Sequence, residues 1–295
     1  MLKPMSWFAP LLMITALVGG PAGPGSAQAA EVRRVTERTL DFEPGGELVI
    51  ENQNGRVTVE AWDQQKVRIQ ITRVARASDE KKAEEYVRQI QAEVTIRSGR
   101  IEIKSHYPKR QESIGIWAVL VEKATSFQTH YYVQVPVRTN LDLGSSNGDI
   151  RVRGTQGTLS AESTNGGIEV SGADGEISTS TTNGGIEVTG SSGSLNAETT
   201  NGSIVVAIRA LAPKSAIKAE TTNGNVDVYL PHDVQATLQA ETTNGTVAVS
   251  YPLTTSGIMT SKTVHGTIGG GGSMVSLATT NGKIRVGRLE ERESH

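Results

Sequence analysis

The sequence predicts an all-β protein, and within that class a β-solenoid, β-helix-like, of stacked two-strand coils with a small α+β insertion. Three observations carry this reading. The dipeptide Asn-Gly recurs at Asn147, Asn165, Asn183, Asn201, Asn223, Asn244 and Asn281, with His265-Gly266 filling one slot and an early copy at Asn54. The steps between successive slots from 147 onward are 18, 18, 18, 22, 21, 21 and 16 residues, so one supersecondary unit is being stacked. Apolar, often β-branched residues stand at alternate positions on both sides of each slot, which is the period of strands with one buried face. Finally, the 295 residues include 32 Gly but only 3 Phe, a composition rich in turns and poor in the aromatics of a helical core.

At the N-terminus, Lys3 precedes an apolar run from Trp7 to Val18, a Gly/Pro-rich stretch and the small-x-small site Ala27-Gln28-Ala29. These features predict a secretory signal over 1–29, because the run is too short to span a bilayer comfortably. The chain is expected to be exported, to the periplasm or the cell surface.

Residues 30–60 are read as holding the first coil. Around Asn54 the repeat frame places Leu48, Ile50, Asn52, Val57 and Val59. An insertion, 61–140, then separates it from the second coil and is expected to cap the open end of the stack. Lys66 to Arg76 alternates as a strand. Ser78 reads as the N-cap of a helix from Asp79 to about Gln91, with Ala83, Tyr86, Val87 and Ile90 on one face. A hairpin turns through Ser98-Gly99, residues 105–128 have no clear pattern although Trp117 lies among them, and Tyr131 to Val135 forms the strand leading into the repeats.

Residues 141–287 are the repeat region. Six residues before the Asn stand Leu159, Ile177, Leu195, Ile217, Leu238, Met259 and Val275; two before stand Ser163, Thr181, Thr199, Thr221, Thr242, Thr263 and Thr279. Three after stand Ile168, Ile186, Ile204, Val226, Val247, Ile268 and Ile284. An antiparallel meander, with each Asn-Gly a two-residue hairpin turn, also fits this spacing. The solenoid is preferred because a hairpin gives no reason for a Thr repeated two residues before the Asn. Stacked coils let inward Thr hydroxyls and Asn amides hydrogen-bond along their own ladders, and make the Asn residues structural corners. The tail, 288–295, is too charged to add a strand.

Little chemistry is legible. The net charge of −2 excludes a broad electrostatic footprint for nucleic acid, and the absence of Cys removes disulfides and thiol chemistry. The five His never fall at ligand spacing, and no phosphate loop or nucleophile elbow is present, so no catalytic, cofactor-binding or metal residue is assigned and no cofactor is expected. Two outward rows form a possible interaction face: the carboxylates Glu198, Glu220 and Glu241, and a hydroxyl row including Thr200, Thr222 and Thr243 that Val264 is expected to break. Both rows also fit a plain solvated strand face.

The run Tyr132-Val133-Gln134-Val135-Pro136 followed by Leu141-Asp142-Leu143, the succession of Asn-Gly-x-Ile-x-Val units, and Ile268-Gly269-Gly270-Gly271-Gly272 ahead of Leu277-Ala278-Thr279-Thr280-Asn281-Gly282-Lys283-Ile284 resemble the bacterial putative-adhesin family of unknown function. The resemblance spans about residues 40–287 and implies an exported β-repeat protein of the cell envelope, with no catalytic residues to carry over. His265 in an Asn slot and the segment 105–128 depart from it. The leading expectation is a non-catalytic envelope protein presenting a repetitive face to polysaccharide or protein. Its rivals are a polysaccharide-cleaving β-helix enzyme, with Lys262 and His265 beside Glu241 as its nearest residues, and a self-associating scaffold.

Overall fold

A computed structural model describes residues 30–108, 126–254 and 259–292; the expected signal, Trp117 and the last three residues of the tail lie outside the described residues. The chain opens with β1 (Ala30–Asp41), followed by the first coil, β2 (Glu47–Asn54) and β3 (Val57–Trp62). Next come β4 (Lys66–Ala77), helix α1 (Glu80–Gln89), β5 (Gln91–Arg97), β6 (Arg100–His106) and β7 (Ser126–Pro136). Asp79, not Ser78, caps α1: its carboxylate accepts from the Lys82 amide at 2.9 Å, one residue further along than the sequence suggested.

The regular coils follow as β8 (Asn140–Asn147) with β9 (Ile150–Arg153), β10 (Gln156–Asn165) with β11 (Ile168–Ser171), and β12 (Asp174–Asn183) leading into β13 (Ile186–Asn201). The strand β13 is long enough to serve as the second leg of one coil and the first leg of the next. Then come β14 (Ile204–Ala210), β15 (Ala216–Asn223), β16 (Val226–Leu230), β17 (Ala236–Asn244), β18 (Val247–Val249), β19 (Leu253–Thr254), β20 (Thr263–Ile268), β21 (Ser273–Asn281), β22 (Ile284–Arg288) and a short helix α2 (Leu289–Arg292).

Equivalent strands pair in parallel with their Asn residues in register. Asn165 lies opposite Asn147 and Asn183, and Asn201 opposite Asn183 and Asn223. This is the solenoid, and it excludes the meander. Backbone torsions agree, since a type I′ hairpin would need positive φ at the Asn, whereas the one non-glycine residue in that region among those described is Lys214.

Two ribbons result, joined along the Asn-Gly corner. The first runs β5, β6, β2, β8, β10, β12, β13, β15, β21, β17, β20, β19, and the second runs β1, β4, β7, β3, β9, β11, β13, β14, β16, β22, β18. Leu159, Ile177, Leu195, Ile217, Val275 and Leu238 from the first and Ile168, Ile186, Ile204, Val226 and Ile284 from the second are all buried between them. The core is thin, so Ala and Thr fill the positions where the ribbons converge.

Stacking order departs from chain order. The last coil, β21/β22, does not extend the stack but slides between β15/β16 and β17/β18, pairing in parallel on both sides. The frame that placed a coil at His265 therefore fails. There β20 runs antiparallel along the free edge of β17, with Gln239 opposite His265 and Val264 turned into the core at 2 % exposure. Met259, assigned by that frame to the core, is 62 % exposed.

The corner chemistry is also more specific than expected. Each Asn amide donates to the side-chain oxygen of the Asn one coil nearer the N-terminal end, at 2.9 Å for Asn165 to Asn147, Asn183 to Asn165, Asn201 to Asn183 and Asn223 to Asn201. The ladder continues through the intercalated coil as Asn281 to Asn223 at 2.8 Å and Asn244 to Asn281 at 2.9 Å. It lies on the surface, not in a buried corner. The inward Thr hydroxyls do not bond one another; Thr181, Thr199, Thr221, Thr279 and Thr242 each donate to the glycine carbonyl of the neighbouring Asn-Gly, at 2.9 to 3.0 Å. A buried hydroxyl thus satisfies a carbonyl that the turn leaves without a strand partner.

Candidate functional site

The outer side of the first ribbon is shaped by this register. Residues one before each Asn point outward, and in spatial order they are Gln53, Ser146, Thr164, Thr182, Thr200, Thr222, Thr280 and Thr243. Because β20 is not a coil, Val264 does not break the row. Seven hydroxyl side chains stand one per coil at the roughly 4.8 Å spacing of paired strands. Beside them runs a shallow open trough in two stretches of about 560 and 530 Å³ that meet at Ser180.

The structure brings all six residues of the expected face, Glu198, Glu220, Glu241, Thr200, Thr222 and Thr243, to the larger stretch. It does not make the carboxylates one continuous ladder. Glu198 and Glu220 are neighbours in register, but Ala278 of the intercalated coil separates Glu220 from Glu241. Lys218 reaches both neighbours, at 2.8 Å to Glu198 and 3.1 Å to Glu220. Its hydrogen bond holds the Glu198 carboxyl below the usual carboxylate range, and the two carboxylates raise the Lys218 ammonium in turn. The repulsion that a bare carboxylate ladder would carry is relieved by Lys218, a residue the sequence analysis did not single out.

At the far end of the trough the imidazole of His265 lies 2.8 Å from a Glu241 oxygen, while Lys262 donates to the Thr243 carbonyl at 2.8 Å. The three residues of the enzyme alternative therefore do converge, as an exposed imidazole–carboxylate pair with the ammonium group tied to backbone. Among the described residues no group of three or more His, Cys, Asp or Glu side chains is placed to hold a metal ion, and no helix is long and apolar enough to cross a membrane.

A polar cluster at the N-terminal end was not legible in the sequence. Asn52 occupies the Thr slot of the first coil and donates to the carbonyls of Gly55 at 2.8 Å and Thr129 at 2.9 Å. Its oxygen accepts from Ser105 at 2.9 Å, and Ser105 shares a 2.6 Å bond with the Tyr131 hydroxyl, whose pKa burial pushes up to about 12. The sequence signal was the departure itself, an Asn where every later coil carries Ser or Thr. A second corner was also missed: the Gly-x-x-Gly units at Gly154, Gly172 and Gly190 repeat every 18 residues, and all three glycines have φ between 61° and 73°.

Thr222 and Glu220 are exposed and half-exposed, respectively, whereas Ile204 is fully buried. In urea unfolding, Glu220→Ala and Thr222→Ala are expected to change stability by less than about 0.5 kcal/mol. Ile204→Ala is expected to cost about 2–4 kcal/mol. Equal losses for the two sets would show that the faces are misassigned.

Residues 175–287 match the family model described as Toastrack DUF4097. No curated protein matches the sequence. Among solved structures, the chain is similar to a putative adhesin from Bacteroides fragilis at 12% identity, covering 85% of this chain and 96% of that one with a TM-score of 0.42. It is also similar to a putative cell adhesion protein from Clostridium sporogenes (12% identity, 86% and 99% covered, TM-score 0.30) and a putative lipid binding protein from Parabacteroides distasonis (9% identity, 85% and 96% covered, TM-score 0.30). Residues 175–287 are thus similar to the Toastrack DUF4097 family, and over that segment the resemblance of the Asn-Gly units to the putative-adhesin family of unknown function holds.

Proposed function

We propose that this chain is a non-catalytic, exported cell-envelope protein of adhesin-like type, which binds envelope polysaccharide or protein along the outer trough of its first ribbon. The observation that supports the reading is the unbroken row from Ser146 to Thr243, set beside carboxylates on a rigid backbone. Seven hydroxyls at fixed spacing offer both donors and acceptors to a partner that is itself polar and repetitive. Their strands are fixed on both sides, so little conformational freedom is lost on binding.

The test is retention of glycans or envelope proteins by the mature chain, on a glycan array and in pull-downs from envelope fractions. Thr200→Val combined with Thr222→Val keeps shape and strand preference but removes two hydroxyls, and should weaken the retained partner about tenfold. Undiminished retention by the double variant would remove the trough from the binding site. Turnover of a glycan or ester substrate would overturn the non-catalytic reading.

A further inference from the structure

We infer that Asn244 is the one site in the Asn-Gly ladder where the folded protein undergoes spontaneous deamidation. The eight Asn-Gly pairs share the sequence most prone to this reaction, because glycine leaves its own amide nitrogen sterically free. In the reaction the glycine nitrogen attacks Cγ of the preceding Asn and a new N–Cγ bond forms. The Cγ–Nδ2 bond then breaks, and ammonia leaves with the proton the glycine nitrogen gives up. Water subsequently opens the cyclic imide to aspartate or isoaspartate.

The ladder withholds that nitrogen. Gly55, Gly148, Gly166, Gly184, Gly202, Gly224 and Gly282 each donate their backbone N–H to the Asn carbonyl of the next coil, at 2.8 to 3.1 Å. Gly245 is the exception. Asn244 ends the ladder, so no further Asn carbonyl faces the Gly245 N–H, and it has no acceptor among the described residues. The capping segment bonds on either side of it, with Thr242 N–H to the Lys262 carbonyl and Val247 N–H to the Ser261 carbonyl. The Asn244 side chain is exposed and receives no hydrogen bond on its oxygen from the described residues, whereas the oxygens of Asn201 and Asn223 each accept one.

Exposure does not separate the sites, because Asn201 is exposed as well. The held backbone N–H does. Asn54, at the opposite end, makes this distinction testable: its amide has no acceptor among the described residues, yet Gly55 N–H is held at 2.8 Å by the Asn147 carbonyl. Conversion at Asn244 would remove the donor that Asn281 accepts and set a carboxylate beside that oxygen, loosening the terminal coil next to Thr243 and Glu241.

The experiment is peptide mapping of the full chain after incubation in mildly alkaline buffer, with isoaspartate detected by enzymatic methylation. In the folded protein Asn244 should convert at least about tenfold faster than Asn54, Asn201 or any other pair in the ladder. In concentrated urea the eight rates should converge. Comparable rates at Asn54 and Asn244 in the folded protein, a faster rate at any other pair, or no conversion at Asn244 would each overturn the inference.

Discussion

Deleting residues 273–295 is expected to unfold the repeat region, not to trim it by one coil. In a solenoid stacked in chain order the last coil has one neighbour, and its loss costs one interface. Here β21 pairs with both β15 and β17, and β22 with both β16 and β18. Deletion opens a gap one coil wide and leaves unpaired strand edges facing each other across it. It also breaks the Asn ladder at Asn281 and removes the buried side chains of Val275, Leu277, Ile284 and Val286. At about 1.5–3 kcal/mol for each buried aliphatic side chain, the loss is comparable with the roughly 5–15 kcal/mol that stabilises a whole domain. Circular dichroism and gel filtration should show an aggregated or unfolded product. Deleting only 289–295, which removes α2 and its contacts to Glu187 and Ser250, should leave a folded chain. A soluble, cooperatively unfolding 1–272 fragment would mean that the intercalated coil is dispensable.

The columns around Asn54 to Asn281 made the coil legible, because burial on a two-residue period and repeated Thr two before the Asn have a direct physical cause in stacked parallel strands. What the columns could not carry was the order of the coils. Every coil presents nearly the same edge, so local pattern does not distinguish Thr222 beside Thr280 from Thr222 beside Thr243. Insertion of the last coil depends instead on the chain turning back through β20 and Gly269–Gly272, where Gly269, Gly271 and Gly272 take positive φ. His265 fell into the Asn frame because an antiparallel strand buries alternate residues just as a coil does. The trough suffered from the same limit. Each outward residue was visible as polar, but the place of Ala278 between Glu220 and Glu241, and of Lys218 between two carboxylates, follows from spatial neighbours set by coil order. Asn52 donates to the Thr129 carbonyl, 77 residues further along the chain, and reaches Tyr131 through Ser105, contacts that no local period encodes.

The glycine of the Asn-Gly pair offers the sharpest test of how the coils are stacked. Its φ is not in the left-handed region at Gly202, so the usual reason for glycine in a turn does not apply. The reason is the neighbouring coil. A Cβ built on Gly202 would lie 1.9 Å from the carbonyl oxygen of Gly184, and one on Gly224 would lie 2.0 Å from that of Gly202. Both contacts are to backbone, and that backbone is held by ladder bonds on each side, so neither coil can shift without breaking the Asn and Thr hydrogen bonds together. Gly202→Ala is therefore expected to destabilise the protein by about 3 kcal/mol or more, beyond the usual cost of overpacking. Gly144→Ala is the control, since its Cβ would meet nothing nearer than an Ile50 carbonyl oxygen at 3.8 Å and its φ is ordinary. It should be neutral or stabilise by about 0.5 kcal/mol through the unfolded chain. Gly172, at φ 62° with open space around it, falls between them, and Gly172→Ala should cost about 1–2 kcal/mol of left-handed strain. Urea unfolding of the three variants should rank them Gly202, Gly172, Gly144 in order of loss. If Gly202→Ala cost no more than Gly172→Ala, glycine would be serving turn geometry at both corners, and the close approach of successive Asn-Gly turns would not be what fixes the pitch of the stack.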